Sequence, residues 1–177
     1  LYFLDGFNAE PPQHLSTFID FVKEFISFTS NRSSGAVGLP NIIPYMYYFW
    51  KKDCAEGFAT KSPEYYARQQ IQRFVYAVNQ PYVRDGMQSA FTNVSVFDDE
   101  YLMALFGGAE FPDGSFMVDD LAEIKEFQKL FMEVVAEIRE HNMFTFPVLT
   151  MSLLRKDGKF GDPEFAEWAI KHNMKWY

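Results

Sequence analysis

The stretch from Arg84 to Phe97, Arg-Asp-Gly-Met-Gln-Ser-Ala-Phe-Thr-Asn-Val-Ser-Val-Phe, constrains the fold more than any other part of this chain. It opens as a polar turn and continues as an alternating strand. Ala90, Thr92, Val94 and Val96 point one way, and Ser89, Phe91, Asn93, Ser95 and Phe97 point the other. The second face carries hydroxyls and an amide where a buried strand would carry Val and Ile. Buried polar groups need hydrogen-bond partners. Two readings follow: an edge strand facing water, or a wall that meets a bound polar substrate.

Long helical patterns flank this strand. Leu15, Phe18, Ile19, Val22, Phe25, Ile26 and Thr29 recur at helical spacing after Pro11-Pro12, with Phe21 and Phe28 on the flank. So wide a stripe suits a core helix, or one whose flank meets another subunit. A small-residue loop is expected at 31–40, Asn-Arg-Ser-Ser-Gly-Ala-Val-Gly-Leu-Pro, where close approach of a ligand or backbone is easy. It matches neither phosphate-loop nor dinucleotide fingerprints, and a plain helix connection fits it as well. The aromatic run Tyr45, Tyr47, Tyr48, Phe49 and Trp50 reads as a short buried helix, with Pro44 tolerable in its first turn. Ser62-Pro63-Glu64 is a helix start: an N-cap hydroxyl, proline at the first helical position and an early acid. Ala67, Ile71, Phe74, Val75 and Val78 form the core face of that helix, and Arg68, Gln69, Gln72 and Arg73 lie off it.

After the strand, Tyr101 to Phe106 reads as a short extended or helical piece. Asp119-Asp120 opens a long helix to about Glu140, with Leu121, Ile124, Phe127, Phe131, Val134, Val135 and Ile138 inward. Met143 to Met151 reads as a strand apolar on both faces, as in a covered parallel sheet, with Pro147 marking an irregularity. Asp157-Gly158 turns the chain. Asp162-Pro163-Glu164 starts a last helix with Phe165, Ala166, Ala169 and Ile170 inward. Strand, helix, strand, helix is the signature of an α/β unit with a crossover. One segment is expected throughout, residues 1–80 mainly helical and 81–177 α/β.

At 177 residues the chain is long enough to bury a core. It is 19% aromatic, with 20 Phe and 10 Tyr, so either the core is Phe-rich or some faces are covered by other protein. The net charge of −8 and the lack of a basic block argue against a nucleic-acid surface. No apolar run reaches the roughly 18 to 20 residues that span a bilayer. Cys54 is the one cysteine, which excludes an internal disulfide and fits a reducing cytoplasm. It reads as a packed residue more readily than as a nucleophile, and His14, His141 and His172 show no metal-ligand spacing. The chain begins at Leu1 and stops at Lys175-Trp176-Tyr177, and both ends look cut, so a piece of something longer is expected.

Three motifs in order, Ser-Ser-Gly-Ala-Val-Gly-Leu-Pro at 33–40, Gln-Ser-Ala-Phe-Thr-Asn-Val-Ser at 88–95 and Phe-Thr-Phe-Pro-Val-Leu-Thr at 144–150, resemble the central part of the anaerobic (class III) ribonucleoside-triphosphate reductases. The resemblance runs from about His14 to Tyr177. It implies part of a ten-stranded α/β barrel of the glycyl-radical enzyme type, with long helices forming a dimer interface. It implies a ribonucleoside triphosphate substrate, ATP or deoxynucleotide effectors, a homodimer and a separate iron–sulfur activase that uses S-adenosylmethionine. A glycyl radical and a C-terminal zinc site belong to the family pattern, whereas this segment is expected to hold no cofactor itself. Through the resemblance, Gln88, Ser89, Thr92 and Asn93 become candidate substrate contacts, and Arg68, Gln69 and Arg73 candidate effector contacts. No catalytic residue is carried over, because Cys54 matches none of the family's catalytic cysteines. Two other readings remain: a glycyl-radical relative with another substrate, and a non-catalytic nucleotide-binding or dimerisation module.

Overall fold

Helix boundaries in this chain are set by local chemistry that the structure makes explicit. The computed structural model describes residues 10–32, 35–81 and 86–176. Six α-helices lie among them: α1 (Leu15–Ser30), α2 (Ile42–Ala55), α3 (Pro63–Val78), α4 (Asp99–Phe106), α5 (Leu121–His141) and α6 (Pro163–Trp176). The Ser62 hydroxyl accepts the Tyr65 N–H at 3.1 Å, which caps α3 ahead of Pro63. Asp162 caps α6 in the same way, accepting the Phe165 N–H at 2.9 Å. Asp98 caps α4, accepting the Tyr101 N–H at 2.9 Å.

Three parallel strands, β1 (Val37–Leu39), β2 (Thr92–Phe97) and β3 (Val148–Ser152), form a sheet in the order β1-β2-β3. Gly38 pairs with Asn93, Asn93 with Val148 and Ser95 with Thr150. A two-residue hairpin, β4 (Arg155–Lys156) and β5 (Lys159–Phe160), follows β3. Its turn residues Asp157 and Gly158 both have positive φ, as a tight hairpin turn requires.

β2 is therefore central, not an edge strand facing water. Its buried face is the one expected, with Ala90, Thr92, Val94 and Val96 at 1% exposure or less. With Val37 and Leu39, Ala90, Val94 and Val96 join a single core with residues of α1, α2, α3, α4 and α5. α3 packs on both α1 and α5, and α2 lies against β2. Phe74 on α3 and Phe131 on α5, both buried, meet at 6.0 Å between ring centres. Truncating either to Ala is worth about 3 to 5 kcal/mol, because the close-packed space around it collapses only in part.

Several expectations need correction. The stretch at 31–40 is not all loop, since Val37–Leu39 is a strand; its residues 33 and 34, like 82–85, lie outside the described residues. Three residues around a glycine are too few to show a period. The strand expected at 143–151 begins only at Val148, after Pro147, whose missing N–H cannot join a ladder. Val148 is 45% exposed, so β3 is not covered on both faces. A short 3₁₀ turn, Met117–Asp120, precedes α5, placing Asp119 and Asp120 before the helix proper. Ile170 and Phe25 face outward, at the margins of apolar stripes wider than the surfaces that cover them. The piece at 101–106 is helical. The α/β class stands: the described residues hold three parallel strands and one hairpin, a small sheet in which no complete barrel is seen.

Candidate functional site

Among the described residues, one face of the sheet is left partly open. In a parallel pair, partnered residues point to the same side. The register thus groups Gly38, Asn93, Ser95, Val148 and Thr150 on that side. Gly38, Val148 and Thr150 are exposed, and Asn93 and Ser95 half-buried. The Asn93 amide donates to the Thr150 hydroxyl at 2.7 Å across β2 and β3. Phe91, leading into the strand, is exposed and meets the Phe146 ring at 4.9 Å. This face has hydroxyls, an amide, a bare glycine and apolar margins, and no ionisable group among these residues.

The four candidate substrate contacts do not share that face. Asn93 stands on it. Thr92 turns to the core side, where it is 1% exposed and its hydroxyl has no hydrogen-bond partner among the described residues. Ser89 precedes the strand and donates to the Asn79 carbonyl at 2.6 Å, tying the strand's approach to the end of α3. Gln88 is half-buried beside it. Thr150 and Ser95 were not singled out as contacts from the sequence. The period-two alternation of 148–152 against 92–97 holds that signal, but only the register brings Thr150 beside Asn93.

The candidate effector residues also separate. Arg68 is drawn toward α5, with Glu137 at 3.0 Å, Glu133 at 3.5 Å and its helix neighbour Glu64 at 2.9 Å. Hydrogen bonding to Glu64 leads the effects that hold its guanidinium above the usual arginine pKa. Arg73 turns to α1, where Asp20 lies 2.6 Å away. Gln69 joins a chain of long contacts through Gln72 to Tyr76. Five residues on a helix subtend about 500°, which sets Arg68 and Arg73 on opposite flanks of α3.

A polar cluster that the sequence did not announce lies elsewhere. Asp53, fully buried on α2, accepts from His14 Nδ1 at 2.7 Å, the Leu15 N–H at 2.8 Å and the Tyr66 hydroxyl at 2.7 Å. Burial, then the hydrogen bond to this carboxylate, raises the Tyr66 phenol well above its ordinary pKa. His14, Asp53 and Glu56 bring ligand atoms within 4.8 Å of one another. Three of the roughly four acceptor positions of the Asp53 carboxylate are already used, so the cluster reads as a clamp joining α1, α2 and α3 and not as a metal site. Cys54, next to it, is half-buried on α2. Burial and the Asp53 charge push its thiol pKa up.

Among the described residues, then, the chain is a small parallel α/β sheet with helices packed on one face and an amide- and hydroxyl-bearing face partly open. The family model for anaerobic ribonucleoside-triphosphate reductase matches residues 2–177. The crystal structure of the anaerobic ribonucleotide reductase from Thermotoga maritima in complex with dATP and CTP is 47% identical, with a TM-score of 0.90 over 95% of this chain and 28% of that one. The same enzyme with dATP bound in the specificity site gives the same values. With citrate in the active site it is 47% identical, with a TM-score of 0.88 over 95% of this chain and 30% of that chain. No curated protein matches. The chain belongs to the anaerobic ribonucleoside-triphosphate reductase family, and it spans under a third of the length of these structures.

Proposed function

We propose that this chain is the central part of the catalytic domain of an anaerobic reductase that converts ribonucleoside triphosphates to deoxyribonucleotides. The observation that carries the reading is the 47% identity over 95% of the chain to a reductase described with dATP and CTP bound. The open β2–β3 face supports it, because its amide and hydroxyls suit a polar substrate. In this reading the three parallel strands are part of a ten-stranded barrel, and the open face lines its cavity. Asn93 makes the direct contact, with Gln88 and Ser89 at the approach to the strand. Thr92 backs the same strand from the core side. The helices α1 and α3 form a homodimer interface, where Arg73, and Arg68 with Gln69, bind a deoxynucleotide or ATP effector.

The radical chemistry, supplied when a glycyl radical is in place, removes a ribose hydrogen. This chain's residues bind and orient the substrate for it. An iron–sulfur cluster, or a zinc site of the all-cysteine kind, needs several thiolates, and the chain's one cysteine cannot furnish them. Those groups, and the activase that uses S-adenosylmethionine, lie with other protein. The isolated 177 residues are therefore expected to be inactive.

The test is anaerobic assay of the complete reductase polypeptide with activase, S-adenosylmethionine and a reductant. Deoxynucleotide formation that falls at least tenfold in Asn93→Ala supports the reading. Reductase activity from the 177 residues alone would contradict it.

A further inference from the structure

We infer that Asn79, at the end of α3, is a positioning residue that ties this helix to the entries of both β2 and β3, so that nucleotide binding at α3 and at the sheet is coupled through it. The inference rests on the reading of the chain as a reductase segment whose effector binds at α3.

Asn79 follows Val78, the last residue of α3, and is half-buried. Its side-chain amide donates to the Val75 carbonyl at 2.8 Å, one turn back along the helix. The same amide donates to the Phe146 carbonyl, and its oxygen accepts the Phe146 N–H at 3.3 Å. The Asn79 main-chain carbonyl accepts the Ser89 hydroxyl at 2.6 Å. Ser89 leads into β2, and Phe146 leads into β3. One residue thus fixes where both strands begin relative to the end of the helix.

Closing a helix end needs only that its last carbonyls find donors. The bond to Val75 does this, and the two bonds to Phe146 go further. They exchange N–H and C=O with one backbone residue, as a neighbouring strand would. Arg139 of α5 donates to the next carbonyl, that of Pro147, at 3.1 Å, so the entry to β3 is held between α3 and α5. Along its length α3 packs chiefly on α1 and α5. At a rise of about 1.5 Å per residue, Arg73 and Arg68 stand about 9 Å and about 16.5 Å from Asn79 along the axis. A shift of α3 when those arginines engage a nucleotide therefore carries Asn79 with it, and with Asn79 the entries to both strands. The first β2–β3 pair, Asn93 with Val148, lies just beyond those entries. Coupling between distant sites travels through such packed and hydrogen-bonded elements.

Binding reads the coupling without radical chemistry, because each of two linked ligands changes the other's affinity by the same factor. The complete reductase polypeptide is titrated calorimetrically with dATP, alone and with saturating CTP. In the wild type, CTP is expected to tighten dATP binding about fivefold or more, the lower end of ordinary allosteric coupling. In Asn79→Ala, the dATP Kd without CTP should stay within about twofold of wild type, while the CTP effect falls below about twofold. Asn79→Ser keeps a hydroxyl that can bond the Val75 carbonyl but is too short for Phe146. It should lose the coupling in the same way with the helix end intact. CTP-dependent tightening that survives in both variants overturns the inference. So does an equal weakening of dATP with and without CTP, which is what a purely structural role produces. A wild type that binds dATP and CTP independently overturns it as well and leaves the reductase reading standing. A wild type that binds neither nucleotide overturns that reading and this inference with it.

Discussion

The side-chain amide of Gln128 on α5 closes two hydrogen bonds on the backbone of Phe97. The Phe97 N–H donates to Oε1 at 2.9 Å, and Nε2 donates to the Phe97 carbonyl at 2.9 Å. β1 pairs only with Thr92 to Val94, so among the described residues no strand flanks the end of β2 on that side. Gln128, fully buried, stands in for the missing strand. Gln128→Leu should leave both backbone groups buried and unpaired and cost about 2 to 4 kcal/mol. Gln128→Glu should also destabilise, because a carboxylate cannot donate to the carbonyl. Denaturant unfolding of the three proteins measures both.

Asp53 plays the corresponding part among the helices. Asp53→Ala removes the acceptor for the Leu15 N–H, His14 and Tyr66 at once, and should cost about 3 kcal/mol or more. Tyr66→Phe removes one donor and leaves the others in place, so its cost should be nearer 1 kcal/mol. Equal losses in the two variants would mean that the carboxylate is not the shared centre of the cluster. Urea midpoints at constant m-value decide the point.

The helices were legible because their signals are local. Ser62-Pro63 and Asp162-Pro163 each carry a cap and a starter in adjacent residues, and the apolar stripe of α3 is buried as read. The parallel crossover from β2 to β3 followed from element order alone. What escaped were features fixed by contacts distant in sequence. β1 holds three residues and no period, and exists because Phe91 and β2 lie beside it. Gln128 sits amid the apolar face of α5, where one polar residue reads as an interruption. Asp53 follows Lys51-Lys52 and looks like part of a solvated helix end. Alternation set Asn93 on a polar face, and the family resemblance made it a candidate contact. Thr150 was not legible as one, since its meaning depends on a partner 57 positions away.

The two arginines of α3 should behave differently. Arg73 and Asp20 are both exposed, and an exposed pair contributes about 0 to 1 kcal/mol. Arg73→Gln should therefore leave stability nearly unchanged. If Arg73 binds an effector, the same substitution should weaken deoxynucleotide binding about tenfold or more, as expected for loss of a charge-assisted contact. Arg68 is engaged with Glu64, Glu133 and Glu137, and Arg68→Gln should loosen the α3–α5 contact as well. Calorimetric titration with dATP, alongside melting midpoints, separates the two effects. Undiminished dATP affinity in Arg73→Gln would remove it from the effector site.

His172 gives the fold a dependence on mild acid. It stacks on Trp168, with ring centres 5.2 Å apart, on the face of α6 that borders a cleft of about 710 Å³ between α5, β3 and α6. Burial first, then the Lys175 charge, lowers its pKa below the ordinary histidine value. Protonation is therefore easier in the unfolded chain, whose histidine titrates near about 6.5. Its contribution is fully present above that value. It declines as the pH falls toward the lower folded-state value, because the unfolded state takes up the proton first. Replacement by Phe keeps the stacking and removes the titration. The difference in stability between His172→Phe and the wild type should thus widen in the variant's favour as the pH falls from 7.5 to 5. Denaturant unfolding at pH 7.5, 6 and 5 reads this directly, and parallel pH profiles for the two proteins would show that His172 does not carry the effect.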